Sequence, residues 1–357
     1  MPTFLRKTVV ALLLLLVLGA GLSVACRPWA RARVKAALAL DVGVTTLALG
    51  HSHAECSVDD RALPWLRNFG SSAETSVVSF WKLHHLLDQN PDQVQNVLFF
   101  VTPGSITSRV EHLWHALPKY IQTRFIRQDL GWLLPAEARR TFSISWRIRL
   151  YLWLRCDIGL PLQCYSSFPI SLGRFLDRDS GKARAPLAPA GQPTDSASPV
   201  DYSPLLANHV RRFVQEATDS GASVYLIRSP ILVADSQRSA PDPGDPYYSL
   251  MGELSRDPRV SFHDFGDYPL PADCFRDMSH LNLKGAAIFT QHLVELIGEP
   301  ELREGPPERT VANAIQIPGP RACAVGAAAL LCCCLLPFMR RRVPAPSQAP
   351  IRELADS

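Results

Sequence analysis

The sequence predicts a three-layer α/β/α domain built on a parallel sheet, carried between two membrane-directed ends. Three observations lead there. Short apolar, β-branched runs alternate with helical segments through the middle of the chain, each run stops at a turn signal, and the remaining apolar content gathers at the two termini. Strands separated by helices need crossover connections, and such connections build a parallel sheet covered on both faces.

The elements follow in order. Residues 42–49 form an apolar run ending at Gly50, the pattern of a buried strand. Residues 76–87 have helical periodicity, and residues 97–101 form a second strand-like run stopped by Thr102, Pro103 and Gly104. Residues 205–218 read as an amphipathic helix ended by Gly221, and residues 224–227 as the next buried strand. A helix over 247–254, a strand over 260–265 and a last helix over 283–297 complete the domain, expected to span 40–300. Residues 185–204, rich in Pro, Ala and Ser, read as a surface excursion. Residues 139–155 interleave Arg139, Arg140, Arg147, Arg149 and Arg155 with Trp146, Tyr151 and Trp153. Such a helix either lies on an anionic membrane surface or packs its apolar face on the domain with its arginines solvated. There is no internal repeat.

The termini set the expected compartment. Arg6 and Lys7 precede an apolar run over 8–25, so residues 1–26 read as a signal peptide or a membrane anchor, and Ala25 before Cys26 permits cleavage. Residues 322–339 are apolar and are followed by Arg340, Arg341 and Arg342. At about 1.5 Å per residue this segment just crosses a hydrocarbon core. The arginines belong on the cytoplasmic side, which places 340–357 inside and the domain, with its 301–321 linker, outside the cytoplasm. The tail resembles a bacterial sorting signal of the PEP-CTERM kind, without the Pro-Glu-Pro signature. Nine cysteines divide by location, and four of them (Cys56, Cys156, Cys164 and Cys274) fall in the exported part. An oxidising compartment then allows disulfides, with Cys156 and Cys164 the pair nearest in sequence. No Cys/His grouping has zinc spacing, and the formal net charge of +4 over 357 residues gives no argument for nucleic acid.

Two segments carry chemistry. The strand at 42–49 runs into Gly50-His51-Ser52-His53, which puts Ser52 at the carboxyl edge of the sheet, where ligands bind in open α/β folds. Near the end of the domain stands Asp277-Met278-Ser279-His280, just before the last helix. Asp and His three residues apart meet on a turn, where the carboxylate fixes the imidazole tautomer and leaves the other nitrogen as a base. A serine within reach of that base is an activated nucleophile.

These two blocks, in this order, resemble those of the SGNH/GDSL hydrolase superfamily, in a divergent membrane-anchored branch. The layout is also similar to that of the D-alanyl transfer proteins of teichoic-acid tailoring. The resemblance implies a flavodoxin-like parallel sheet with a triad of Ser52 as nucleophile, His280 as base and Asp277 as its orienter. It implies hydrolysis or transfer of an acyl ester, with an acylated cell-surface glycan or related polymer as partner and no metal or organic cofactor. The family's oxyanion donors imply a role for Gly70, in Asn68-Phe69-Gly70-Ser71-Ser72. Two departures stand out: His51 occupies the position of the family's Asp, and Thr102-Pro103-Gly104-Ser105 lacks the family's Asn. Either another group such as Ser105 or His53 substitutes, or the site is slow or inactive. Arg228, at the end of a strand, either binds an anionic substrate group or forms a structural ion pair. Glu74 either supports the site or is a favourable charge at a helix start. The alternative function is a binding or scaffolding module for envelope polysaccharide that keeps the fold with a degenerate site.

Overall fold

The computed structural model describes residues 35–111, 201–232 and 244–298, with Val10, residues 132–134 and Phe175 as isolated positions. The terminal apolar segments, the arginine–tryptophan stretch, most of the Pro-rich excursion and the Cys156–Cys164 pair lie outside the described residues. Among the described residues no helix is long and apolar enough to cross a membrane.

Five parallel strands form one sheet in the order β2-β1-β3-β4-β5: β1 Thr46–Gly50, β2 Leu66–Asn68, β3 Asn96–Phe100, β4 Ser223–Arg228 and β5 Val260–Asp264. The α/β class and the parallel sheet are as expected. Side chains alternate between the two faces of each strand. Leu47, Leu49, Val97, Phe99, Val224 and Leu226 enter one core with helices α2 (Ser76–Gln89), α3 (Pro204–Asp219) and α4 (Pro246–Leu254). Ala48, Leu98, Phe100 and Ile227 enter the other with α1 (Ser52–Ser57) and α5 (Leu283–Ile297). Every residue of β1 is buried, as a strand covered on both faces requires.

The helix starts are fixed by short polar side chains. Ser203 accepts from Leu206 N–H ahead of Pro204, Asp245 accepts from Tyr247 N–H ahead of Pro246, and Asn282 accepts from Gly285 N–H. Phe213 of α3 stacks on Phe99 of β3 with ring centroids 3.8 Å apart.

Two boundaries differ from the sequence reading for identifiable reasons. The first strand begins at Thr46, because Gly43 has φ +91° and Val44 N–H closes a turn on Asp41. Strand β2 was not anticipated: it is three residues long, sits at the sheet edge and leaves Arg67 exposed. Cys56 and Cys274 are both buried.

Candidate active site

Strand β1 delivers Ser52. Gly50 has φ +129°, and a Cβ there would lie 2.5 Å from the Phe100 carbonyl oxygen, so only glycine allows this exit from the sheet. His51 is the N-cap of α1 and Ser52 its first residue. The Ser52 N–H therefore has no acceptor one turn back in the helix.

His280 arrives from the other end of the domain. Phe275 and Leu281, both buried, form an antiparallel bridge that closes a tight loop, and Arg276 N–H donates to the His280 carbonyl. Inside the loop the Asp277 Oδ1 accepts from the backbone N–H groups of Ser279 and His280, each at 2.9 Å. His280 Nδ1 lies 2.9 Å and 3.0 Å from the two Asp277 oxygens, and its Nε2 lies 2.8 Å from Ser52 Oγ. Burial works to raise the Asp277 pKa, but the Ser279 N–H and the His280 imidazole outweigh it and hold the carboxyl below its usual value. The carboxylate thus fixes Nδ1 as the donor and leaves Nε2 to accept from the serine hydroxyl. The three side chains have the geometry of a Ser–His–Asp triad.

No family model matches the chain, and no curated protein matches it. Two similar solved structures are a protein described as a platelet activating factor from Streptococcus pneumonia and a variant of an acetyl-xylooligosaccharide esterase from Geobacillus Stearmophilus. The first has 12% identity and a TM-score of 0.38 over 82% of this chain and 99% of that one. The second has 12% identity and a TM-score of 0.33 over 74% of this chain and 98% of that one. Likenesses this distant decide nothing about chemistry, so the functional assignment rests on the chain's own geometry.

The loop after β2 clasps the start of α1. Phe69 N–H donates to the Ala48 carbonyl and Ser71 N–H to the Gly50 carbonyl. The buried Asn68 amide donates to the carbonyls of Ala54 and Val58, while its Oδ1 accepts from Gly70 N–H at 2.8 Å. That last bond corrects the expectation for Gly70: its N–H is held within the loop by Asn68. Gly70 matters for its missing side chain instead. A Cβ there would lie 2.5 Å from Glu55 N and 2.6 Å from Ala54 Cβ, so Gly70→Ala has to push α1 away from the loop. We expect it to cost about 1–3 kcal/mol in chemical denaturation, with a loss of Ser52 reactivity in the same variant.

Beneath the loop lies an ion pair that the sequence reading did not name. Lys82 and Glu74 have fully buried side chains and pair with each other. Lys82 Nζ also donates to the Phe69 carbonyl at 2.7 Å, and Ser79 Oγ donates to Glu74 at 2.8 Å. Burial raises the Glu74 pKa to about 7 against the pull of Lys82, and it is Lys82, paired with Glu74, that reaches the site loop.

The remaining expected residues divide. Ser105 Oγ donates to the Thr102 carbonyl at 2.7 Å and accepts from Thr102 N–H, so it ties its own turn together and is not a free donor at Ser52. Arg228 Nη1 is held by Asp264 and by the Tyr248 hydroxyl, which favours the structural ion pair. His53 is brought to the triad, its ring centroid 5.1 Å from that of His280. His51 stands on its other side at 4.8 Å, with Nε2 3.3 Å from Thr102 Oγ1 and Nδ1 3.5 Å from His53 N. Among the described residues no cluster could hold a metal ion.

Burial first, and His280 second, lower the His51 pKa from 6.5 to about 4. Between pH 6.5 and about 4 the unfolded chain takes up a proton that the folded chain refuses. Stability from this group is therefore present above the upper limit and is lost as pH falls through the window. His51→Asn offers a side-chain oxygen in place of the capping Nδ1 and should flatten the unfolding free energy against pH over that range. An unchanged slope in urea titrations at several pH values would contradict the assignment.

Proposed function

We propose that this chain is a serine hydrolase of SGNH type that cleaves or transfers an acyl ester through Ser52, His280 and Asp277. The 2.8 Å contact between His280 Nε2 and Ser52 Oγ carries the reading, because it joins a nucleophile to a base already oriented by a carboxylate. In the reaction Ser52 Oγ attacks the acyl carbon while its proton passes to His280 Nε2. The protonated imidazole, stabilised by Asp277, then returns the proton to the departing alkoxide, leaving an acyl-enzyme for water or a sugar hydroxyl. The residues that act in this scheme are all supplied by the chain.

The apolar segments at 8–25 and 322–339, with their flanking cations, support a membrane-anchored protein whose domain faces the extracytoplasmic side. On that reading an acylated surface glycan or related polymer is the substrate class, and transfer to a second hydroxyl is the variant reaction.

The test is a fluorophosphonate probe on the purified full chain, with the labelled residue mapped by mass spectrometry. Labelling of Ser52 that disappears in His280→Ala is the expected result. A folded protein that takes no label would remove the hydrolase reading and leave a polysaccharide-binding module, for which glycan binding would be measured directly.

A further inference from the structure

The triad leaves one requirement open. When Ser52 attacks a carbonyl, the oxygen takes up negative charge, and donors aimed at it lower the barrier. The Ser52 N–H is one such donor by position. Gly70 N–H is taken by Asn68 Oδ1, and Ser105 Oγ donates to the Thr102 carbonyl. Three imidazoles stand in a row at the site, His51 against His53 and His53 against His280. His280 is the base, and both nitrogens of His51 have contacts, Nε2 with Thr102 Oγ1 and Nδ1 with His53 N.

His53 is left. Its side chain is 9% exposed, and its Nδ1 is buried with no hydrogen-bond partner among the described residues. A buried N–H without an acceptor costs more than a buried lone pair without a donor. Nδ1 therefore carries the lone pair, which places the proton on Nε2. We propose that His53 is a catalytic residue, whose neutral imidazole donates Nε2–H to the carbonyl oxygen of the bound acyl group as that oxygen becomes anionic.

This inference rests on the serine-hydrolase reading and adds to it the second oxyanion donor. Burial holds the ring well below its usual pKa, and His51, His280 and Arg228 add like-charge repulsion, so the donor stays neutral. In the step itself the Oγ–C bond forms, the carbonyl π pair moves onto oxygen, and the Ser52 proton goes to His280. His53 keeps its proton throughout and shortens its hydrogen bond as charge develops. When the tetrahedral intermediate collapses, the pair returns to the carbonyl, the bond to the leaving oxygen breaks as that oxygen takes the proton from His280, and the hydrogen bond from His53 lengthens again.

The experiment compares the full-length wild type with His53→Phe, His53→Gln and Ser52→Ala on p-nitrophenyl acetate. Loss of one oxyanion donor lowers kcat by about 10²–10³-fold, so His53→Phe should show that loss with little change in KM. Glutamine carries an N–H at about the position of Nε2, so His53→Gln should recover most of the activity. Ser52-dependent turnover with His53→Phe at the wild-type kcat would overturn the inference and leave the hydrolase reading standing. Equal losses in the Phe and Gln variants, with lowered unfolding temperatures, would also overturn it, by showing that the ring only packs. Absence of any Ser52-dependent turnover in the wild type would overturn both. A measurement on the wild type guards against a Phe variant that does not fold: ¹⁵N spectra of the imidazoles before and after phenylboronic acid, which forms a tetrahedral adduct on an activated serine. The His53 Nε2–H resonance should shift on adduct formation, and a resonance that does not move would refute the role.

Discussion

Replacing Ser52 by alanine is expected to remove acyl-ester turnover by about 10⁴–10⁶-fold while leaving the unfolding midpoint close to that of the wild type. The hydroxyl is half-buried and its bond is to His280 Nε2, so no core packing is lost with it. His280→Ala should fall by a similar factor, and the double variant should be no worse than either single one. Nucleophile and base act as a unit, and once either is missing the other has nothing to assist. Multiplicative losses in the double variant would mean that the two side chains work separately, against the 2.8 Å contact between them. The measurement is kcat on an activated acetyl ester for the four proteins in parallel.

The largest stability effect should come from the ion pair beneath the site loop. Lys82→Met leaves the Glu74 carboxylate without its cation in a place where both side chains are fully buried. Breaking a buried pair by removing one partner costs about 3–5 kcal/mol, which is a large part of the stability of an ordinary domain. The same change strips the Phe69 carbonyl of its donor, so the loop that clasps α1 loosens together with the core. Replacing both partners, as Lys82→Met with Glu74→Leu, should recover much of the loss, because no uncompensated charge then remains. Urea unfolding of the two variants decides the point. A loss below about 1 kcal/mol in Lys82→Met would show that water reaches the pair and that it is not buried in solution.

The sequence made the chemistry-bearing segments visible because each rests on local order. Ser52 follows an apolar run, and Asp277 and His280 are three residues apart on one turn, so no distant contact was needed to suggest them. Helix α5 runs from Leu283 to Ile297, the range that periodicity gave, because Asn282 and Gly298 mark its ends in the sequence itself. What stayed hidden depends on tertiary neighbours. Nothing local says that Asn68 will occupy the Gly70 N–H, or that Ser105 will spend its hydroxyl on Thr102. Strand β2 is too short for a two-residue period to register. Lys82 did leave a signal: it lies on one stripe of α2 with Val78 and Leu86, four residues to either side, and both of those are buried. A lysine in that stripe asks for a buried anion, and Glu74 stands just before the helix.

The loop closed by Phe275 and Leu281 has a consequence for when this protein becomes reactive. Ser52 and His280, the proposed nucleophile and base, are 228 positions apart in the chain. Ser52 is synthesised early and, without His280, is an ordinary alcohol with no base beside it. The closed turn can orient His280 toward Asp277 as soon as that turn exists, since its bonds are local. Contact with Ser52 waits until α5 has packed on the face of the sheet that carries α1. A growing or truncated polypeptide therefore carries no activated serine to attack its surroundings. On the proposed reading reactivity switches on in one late docking event, and a covalent serine probe added during refolding should report that event and none before it.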